Sequence, residues 1–299
     1  MLDIQPPIHR PPPSRTDTVL SHYRAVERVI SAMHQRLDQD FSLAEMANVA
    51  YMSPYHFNRV FRQLTGVPPC QFMSALRLES ARRLLLTSKL SVTEVCFEVG
   101  YSSLGTFTRR FTDLMGHSPR SLRRLARSPM NPRPVQSLVS PEPVLGHDPP
   151  RTSISGRIAA PADFAGVIFI GLFVAPIPQG RPVGCAVLDM PGPFRVAPAP
   201  DGSYYLFAAG FREETGLYPY ETALRAGGQR IRRHNGRTQG STDLKLRPAL
   251  PTDPPILMTF PASKICTIED AAASPSCVHE LITPLKMASK DKKRLTQAR

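Results

Sequence analysis

The sequence predicts a multidomain α and β protein, with an all-α domain on the N-terminal side and a small antiparallel β-sandwich on the C-terminal side. Three observations predict this fold class. Apolar residues recur at helical spacing between residues 22 and 127, but from residue 162 onward they fall in short runs between glycines and prolines. Seven of the 32 prolines lie between residues 129 and 150, a density typical of an extended linker. Of the net charge of +13, the helical segment carries +7.

The composition of the 299 residues excludes several broad classes of protein. Hydrophobic residues make up 41%, which is typical of a folded chain and not of a disordered polyelectrolyte. The longest apolar stretch, residues 167–174, has the length of a strand and is too short to span a bilayer. The five cysteines are scattered, so we expect no disulfide framework. The first residues lack the basic and apolar segments of a secretory signal, and we therefore expect a cytoplasmic protein.

The basic charge lies in two places. Residues 22–127 carry 15 Lys or Arg against 8 Asp or Glu, and residues 286–299 carry 6 against 1. Residues 128–285 are close to neutral, with 14 against 13. A compact basic segment with a short basic tail is the distribution expected when a phosphate backbone is a partner.

Composition divides the chain into five segments. They are a disordered proline-rich arm (1–21), the helical domain (22–127), a proline-rich linker (128–161), the β-sandwich (162–262) and a basic tail (263–299). Inside the helical domain, the amphipathic stretch 23–37 predicts a leading helix.

Two similar halves follow this leading helix. Ser42 with Glu45, and Ser91 with Glu94, have the spacing of capping boxes, in which each side chain satisfies a free backbone N–H at a helix start. The offset of 49 between the two boxes becomes 50 further along, where six pairs match: Phe57/Phe107, Arg59/Arg109, Phe61/Phe111, Leu64/Leu114, Gly66/Gly116 and Pro69/Pro119. These pairs predict a duplicated structural unit.

Each half predicts a helix, a tight turn and a second helix. The second helices begin near residues 54 and 103 and end at Gly66 and Gly116, because glycine readily adopts the conformation of a helix C-terminus. Their buried faces are predicted to be Phe57, Val60, Phe61 and Leu64, and Leu104, Phe107, Phe111 and Leu114. The pattern is that of two helix-turn-helix units, which a rigid helix over 71–88 joins.

The opposite, exposed faces of the two second helices suggest a function. They carry Tyr55, Asn58, Arg59 and Arg62 in the first unit, and Gly105, Thr108, Arg109 and Thr112 in the second. Arginine bonds bidentately to guanine, asparagine to adenine, and tyrosine contacts thymine methyl groups. The short residues of the second face indicate that it positions DNA more than it reads sequence. Solvated helix faces without a partner are the alternative, which the duplication, the basic charge and the equivalent Arg59 and Arg109 disfavour.

Residues 22–127 resemble the DNA-binding domain of the AraC/XylS family of bacterial transcription regulators. The resemblance rests mainly on residues 53–61 (SPYHFNRVF), 95–101 (VCFEVGY) and 107–111 (FTRRF). It implies that both recognition helices bind adjacent major-groove segments of promoter or operator DNA. By position it assigns base or backbone contacts to Tyr55, Asn58, Arg59, Leu104, Gly105, Thr108 and Arg109.

The order of domains departs from the family, whose DNA-binding domain usually comes last. The resemblance therefore implies nothing about a sugar-binding domain. It implies association with the nucleoid. Candidate partners are RNA polymerase and a second copy of this chain. The resemblance does not identify a small-molecule effector.

The C-terminal half is less informative. Its β-rich runs at 166–175, 182–188, 204–211, 243–246 and 256–260 suggest a small antiparallel sandwich. Residues 192–196 and 200–205 resemble a carboxypeptidase-regulatory or transthyretin-like sandwich. We expect such a domain to sense a small molecule, to mediate dimerisation or to pack on the first domain. A further basic cluster is interpreted as a solvated loop, with an anion or effector contact as the alternative: Arg230, Arg232, Arg233, His234 and Arg237.

No pattern in the sequence predicts catalysis, a metal or a cofactor. The nucleophile elbow, the phosphate-binding loop, the dinucleotide fingerprint and the zinc-protease motif are all absent from the sequence. Cys266, Cys277 and His279 form an incomplete ligand set with non-standard spacing. We therefore expect a non-enzymatic, sequence-specific transcription regulator. The alternatives are an architectural DNA-binding protein without an effector, and an enzyme fused to a DNA-binding domain.

Overall fold

The computed structural model describes residues 15–127, 153–197, 199–212, 220 and 222–257. Most of the predicted arm, most of the predicted linker and almost all of the basic tail lie outside the described residues, as do Cys266, Cys277 and His279. The described helices and strands belong to one compact unit.

In the residues that the structure describes, seven helices form the N-terminal part. They are α1 (Arg15–Gln35), α2 (Leu43–Ala50), α3 (Pro54–Thr65), α4 (Pro69–Thr87), α5 (Val92–Glu98), α6 (Leu104–Met115) and α7 (Pro119–Arg127). The prediction for 23–37 is confirmed as a helix, but α1 starts earlier, within the segment assigned to the disordered arm. None of the described helices combines the length and apolar composition needed to cross a bilayer.

Both predicted capping boxes are present. The Ser42 backbone N–H donates to Glu45 Oε2 at 2.8 Å, and the Ser91 backbone N–H donates to Glu94 Oε2 at 2.6 Å. In return the Glu45 and Glu94 backbone N–H groups donate to the serine hydroxyls. These hydrogen bonds from Ser42 and Ser91 lower the pKa of both glutamates. The stabilisation is therefore fully present above the usual carboxyl pKa and is lost as the pH falls from that value through the lowered pKa of each glutamate.

We expect Ser91→Ala to lower the free energy of unfolding by about 1 kcal/mol, because it leaves a helix N–H of α5 without its acceptor. Urea denaturation followed by circular dichroism measures the change. Ser102→Ala is the matched control, since Ser102 is exposed in the next turn and caps no helix; its effect should stay within about 0.5 kcal/mol. Equal losses in the two variants would contradict a capping role.

Aromatic side chains fill the core of the helical part. The rings of Phe57 and Phe61 lie 5.5 Å apart, and Phe61 contacts Phe72 of α4 edge-to-face at 5.4 Å. In the second half, Phe107 packs between Tyr101 and Phe111 at 5.3 and 5.6 Å. The pairs of Phe61 are edge-to-face, a geometry that adds stability beyond the area buried, and the pairs of Phe107 are tilted. The equivalent positions of the two halves thus serve the same purpose.

Among the described residues of the C-terminal part there are eight strands. They are β1 (Ile154–Ala159), β2 (Gly166–Phe173), β3 (Gly184–Leu188), β4 (Gly192–Val196), β5 (Gly202–Arg212), β6 (Leu224–His234), β7 (Arg237–Gln239) and β8 (Leu244–Lys245). A five-stranded antiparallel sheet has the order β3-β2-β5-β6-β7, and a three-stranded sheet has the order β4-β1-β8. In the smaller sheet β1 pairs antiparallel with β4 and parallel with β8.

The prediction of antiparallel β structure is confirmed, whereas its classification as a β-sandwich stays a prediction. Both sheets contribute to one apolar core, with Ile158 of β1, Ile170 of β2 and Ile231 of β6 among its members. β1 occupies residues that were assigned to the linker. The run predicted at 256–260 is described only as far as Leu257, which forms an isolated bridge with Gln179.

The interpretation of the basic cluster as a solvated loop is wrong. Four of its residues lie on β6 and Arg237 lies on β7, and the two strands form a hairpin that turns at Asn235 and Gly236. Both turn residues have positive φ, of 50° and 75°. Asn-Gly is a strong sequence signal for a two-residue hairpin turn, because both residues tolerate this backbone conformation. The Asn-Gly pair lies among charged residues, which are also typical of a solvated loop.

Residues of the strand-rich part pack against α4 and α6. Ile177 and Leu257 are buried in the apolar core that the helices form. The Gly180 backbone N–H donates to the Leu114 carbonyl at 2.7 Å. The guanidinium of Arg82, on α4, donates to the Ile256 carbonyl at 2.6 Å and lies 3.9 Å from the ring centre of Tyr220.

Candidate nucleic-acid interface

Helix α3 has one buried and one exposed face. Phe57 and Phe61 are fully buried in the helical core. The predicted contact residues lie on the other face, and all four are exposed: Tyr55, Asn58, Arg59 and Arg62. Tyr55 is 83% exposed, an unusual position for a large aromatic side chain that has no partner to cover it. The apolar face therefore fixes the helix, while the polar face is available to a ligand.

Local hydrogen bonds set the start and end of α3. The Ser53 hydroxyl accepts from the His56 backbone N–H at 3.4 Å, and Pro54 occupies the first helical position. Gly66 ends the helix with φ of 80°, and its N–H donates to the Arg62 carbonyl. These signals lie within the segment itself, which is why the sequence predicts its limits well.

The turn before α3 presents a second exposed aromatic ring. Tyr51 has φ of 57° and is 87% exposed, and the Arg28 guanidinium lies 5.5 Å from its ring centre. Arg28 is an exposed residue of α1. Tyr51 was predicted to lie in the turn, but neither residue was predicted to belong to the interface. The contact joins residues 23 positions apart, so sequence spacing alone gives no signal for it.

Helix α6 repeats the arrangement of α3 with smaller residues. Phe107, Phe111 and Met115 are buried, while Gly105 and Arg109 are exposed and Thr108 is partly exposed. The prediction that Leu104 is buried is wrong, because 39% of it is exposed. It is the first residue of the helix and precedes the turn that contacts the core. It therefore lies with the predicted contact residues.

Helix α4 connects the two units. Its 19 residues span about 28 Å at 1.5 Å per residue. Arg77 Nη2 donates to the Gln39 carbonyl in the segment that joins α1 and α2, at 2.7 Å. Gly100, in the turn of the second unit, lies against the Leu37 carbonyl in the same segment and against the Arg77 guanidinium. The second unit is thus fixed to the first by backbone contacts as well as by α4.

The exposed arginines of both faces keep their charge uncompensated. In the part of the chain that the structure describes, Arg59, Arg62 and Arg109 make no ion pair. Among the described residues no group of three or more His, Cys, Asp or Glu side chains has the arrangement of a metal site. The chemistry of the two faces is therefore hydrogen-bond donation by arginine and asparagine, with apolar contact by tyrosine and leucine.

Comparison with known proteins identifies the family. A family model described as "Helix-turn-helix domain" (HTH_18) matches residues 46–125. The Transposon Tn10 TetD protein of Escherichia coli is 30% identical over 103 residues, which cover 34% of this chain and 75% of TetD. The chain belongs to the AraC/XylS family of transcriptional regulators.

Two further comparisons concern the same segment of this AraC/XylS-family chain. The HTH-type transcriptional regulator GlxA of Rhizobium meliloti (strain 1021) is 34% identical over 104 residues, or 35% of this chain and 32% of GlxA. The solved DNA-binding domain of AdpA, a global transcriptional factor in complex with a target DNA, is 35% identical, with a TM-score of 0.33. That match covers 34% of this chain and 93% of the domain. The chain spans about a third of the length of the first curated relatives that it matches, at 32%, 39% and 34%.

Proposed function

We propose that this AraC/XylS-family protein is a sequence-specific, DNA-binding transcription regulator that reads adjacent major-groove segments with α3 and α6. One observation carries the proposal: both helices bury their phenylalanine face and expose a polar face with an arginine at the equivalent position, Arg59 and Arg109. Neither arginine is needed for the core. A solvated face without a partner gives no reason for the same arginine to recur in the duplicated unit.

The exposed residues fit different parts of a duplex. Arg59 and Arg109 have the bidentate donors that match guanine, and Asn58 has the donor and acceptor that match adenine. Tyr55 offers its ring to thymine methyl groups. Arg62, one turn further along α3, would contact backbone phosphate. Gly105 and Thr108 are short, so α6 positions the protein more than it selects bases.

The strand-rich part would then sense a ligand or serve assembly, with a β-sandwich as the proposed architecture. Promoter or operator DNA is the partner that the exposed faces fit, and RNA polymerase and a second copy of the chain remain proposals of the same kind. We infer a regulator without catalytic activity of its own. Turnover by the purified chain of a substrate bound to the strand-rich part would instead support an enzyme fused to a DNA-binding domain.

We expect Arg59→Ala to weaken binding to a selected operator by about 1–3 kcal/mol and to relax base preference at the position that Arg59 contacts. Fluorescence anisotropy on operator and random duplexes, after selection of the operator with the full chain, measures both effects. The matched control is Arg24→Ala, which removes an exposed arginine from α1. It should leave the ratio between operator and random DNA unchanged. Equal losses on both duplexes for Arg59→Ala would contradict base recognition by this residue.

The architectural alternative makes a different prediction for the unaltered protein. Specific regulators bind their operator about 1,000-fold or more tightly than random DNA at physiological salt. A ratio below about tenfold across a salt series would favour an architectural protein that binds phosphates alone.

A further inference from the structure

The hairpin of β6 and β7 separates its basic residues onto two faces of the sheet. Side chains alternate between the faces of a strand. Arg233 points inward and is 3% exposed. It lies two positions after Ile231, which is also buried. Arg230, Arg232 and His234 lie at the alternate positions of β6 and are all exposed.

The register adds a third arginine to the exposed face. His234 pairs with Arg237 of β7, and Arg232 pairs with Gln239. Directly paired residues of antiparallel strands have their side chains on the same face. Arg230, Arg232 and Arg237 therefore share one side of the hairpin, and we call this group the arginine face.

The arginine face has no structural partner, in contrast to Arg233. Arg233 Nη1 donates to the Ser153 carbonyl at 2.5 Å, and its Nε lies 3.9 Å from Asp201 Oδ1. For the three arginines of the face, the described part of the chain provides neither a side-chain hydrogen bond nor an ion pair. Three cations on adjacent strands repel one another, so they weaken the hairpin unless an anion binds.

The nearby carboxylate of Asp201 is already engaged by the turn. It accepts hydrogen bonds from the backbone N–H groups of Asn235 at 2.6 Å and Gly236 at 3.3 Å. These two bonds lower the pKa of Asp201, which keeps it ionised and bound to the turn. Asp201 thus holds the hairpin in shape and leaves the arginine face cationic.

We propose that the arginine face is a second contact for duplex DNA, which binds backbone phosphates without regard to sequence. This inference rests on the proposed function, since it concerns the same partner. Guanidinium groups bind phosphate bidentately and stay charged at any physiological pH. Residues two apart on a strand are separated by about 7 Å, so Arg230 and Arg232 extend the cationic surface along the strand.

The neighbouring residues favour DNA over a membrane or an apolar protein surface. None of the large, exposed apolar side chains in the described residues lies on β6 or β7. The residues of β5 and β7 that pair with Arg232 are the polar Ser203 and Gln239. The residue of β5 that pairs with Arg230 is Tyr205, which is only partly exposed. A surface of this kind, in which the exposed side chains are mainly cationic or polar, attracts phosphate.

The test is the salt dependence of binding by the full chain to 40-base-pair operator and random duplexes. Each phosphate contact contributes about 0.9 to the slope of log affinity against log salt. We expect the triple variant Arg230→Gln/Arg232→Gln/Arg237→Gln to reduce that slope by about 2–3 on both duplexes. The ratio between operator and random affinities should not change. Replacement of the same three arginines by lysine should retain most of the slope, because the charge is kept.

Arg157→Gln/Arg195→Gln is the matched control. Both residues are exposed arginines on β1 and β4 of the smaller sheet, so the variant lowers the net charge without altering the hairpin. Its slope should stay that of the unaltered protein, and thermal unfolding should show that all variants are folded. A triple glutamine variant with the slope of this control would overturn the proposal, and would point to an acidic protein as the partner of the face. Failure of the proposed function has a separate sign, namely equal affinity of the unaltered protein for operator and random DNA.

Discussion

Gly100→Ala is expected to lower the free energy of unfolding by more than about 4 kcal/mol, the largest effect that we predict for a single methyl group in this protein. Gly100 has φ of 78°, which costs a non-glycine residue about 1–2 kcal/mol. The added Cβ would also overlap the Leu37 carbonyl oxygen and lie 3.0 Å from Arg77 Cζ. The Leu37 atom is backbone, so relief requires the two helix-turn-helix units to separate.

Gly66→Ala isolates the conformational part of this effect. Gly66 has nearly the same φ, 80°, but an added Cβ would have no atom within 4 Å. We expect a loss of about 1–2 kcal/mol for this variant. Urea denaturation measures both free energies, and the slope m shows whether the unfolded states are comparable. If the two variants lose the same stability, the contact between Gly100 and the α1–α2 segment has no energetic importance.

The limits of α3, α5 and α6 could be predicted from sequence because the determining signals are local. Ser53, Ser91 and Ser103 each accept a hydrogen bond from the residue three positions later, and Gly66 and Gly116 end their helices with positive φ. All of this information lies within a few residues of each helix end. The start of α1 was missed because its first turns have no buried apolar face to give a signal. Val19 is 56% exposed and Leu20 is 48% exposed.

Strand β6 could not be predicted because its apolar alternation is incomplete: Leu224, Ala226 and Ile231 are buried, but the fourth buried residue is an arginine. This residue, Arg233, is buried because Ser153 and Asp201, 80 and 32 positions earlier in the chain, accept its contacts. The regular spacing of inward residues along β6 is also interrupted, because the pairing of β5 with β6 is irregular where Phe207 pairs with Gly227. A strand whose buried charge depends on distant residues gives no alternating pattern in the sequence.

The residues of the candidate interface were predictable as an exposed face, since burial of Phe57 and Phe61 leaves Asn58 and Arg59 on the other side of α3. The features of the strand-rich part were not predictable from the sequence. Its arginine face depends on strand register. Its attachment to α4 depends on Arg82, which the sequence gives no reason to distinguish from the neighbouring Arg83.

The attachment to α4 leads to the second large effect. We expect Arg82→Met to lower the free energy of unfolding by about 3–5 kcal/mol. Arg82 is 4% exposed, and its guanidinium both donates to the Ile256 carbonyl and stacks on Tyr220. A desolvated cation–π contact contributes about 2 kcal/mol, and a buried carbonyl that loses its donor costs about 1–3 kcal/mol. Methionine replaces the apolar volume of the side chain but neither interaction.

The loss should also be local. Hydrogen exchange should accelerate first in residues 222–257, and the aromatic core around Phe57 and Phe107 should keep its protection, because Arg82 joins the strand-rich part to α4 and does not contribute to that core. Arg124→Met is the control, since Arg124 is exposed on α7 and its replacement should change stability by no more than about 0.5 kcal/mol. Uniform acceleration across helices and strands would show instead that the whole unit unfolds together. An Arg82→Met variant as stable as Arg124→Met would show that the attachment does not depend on this arginine.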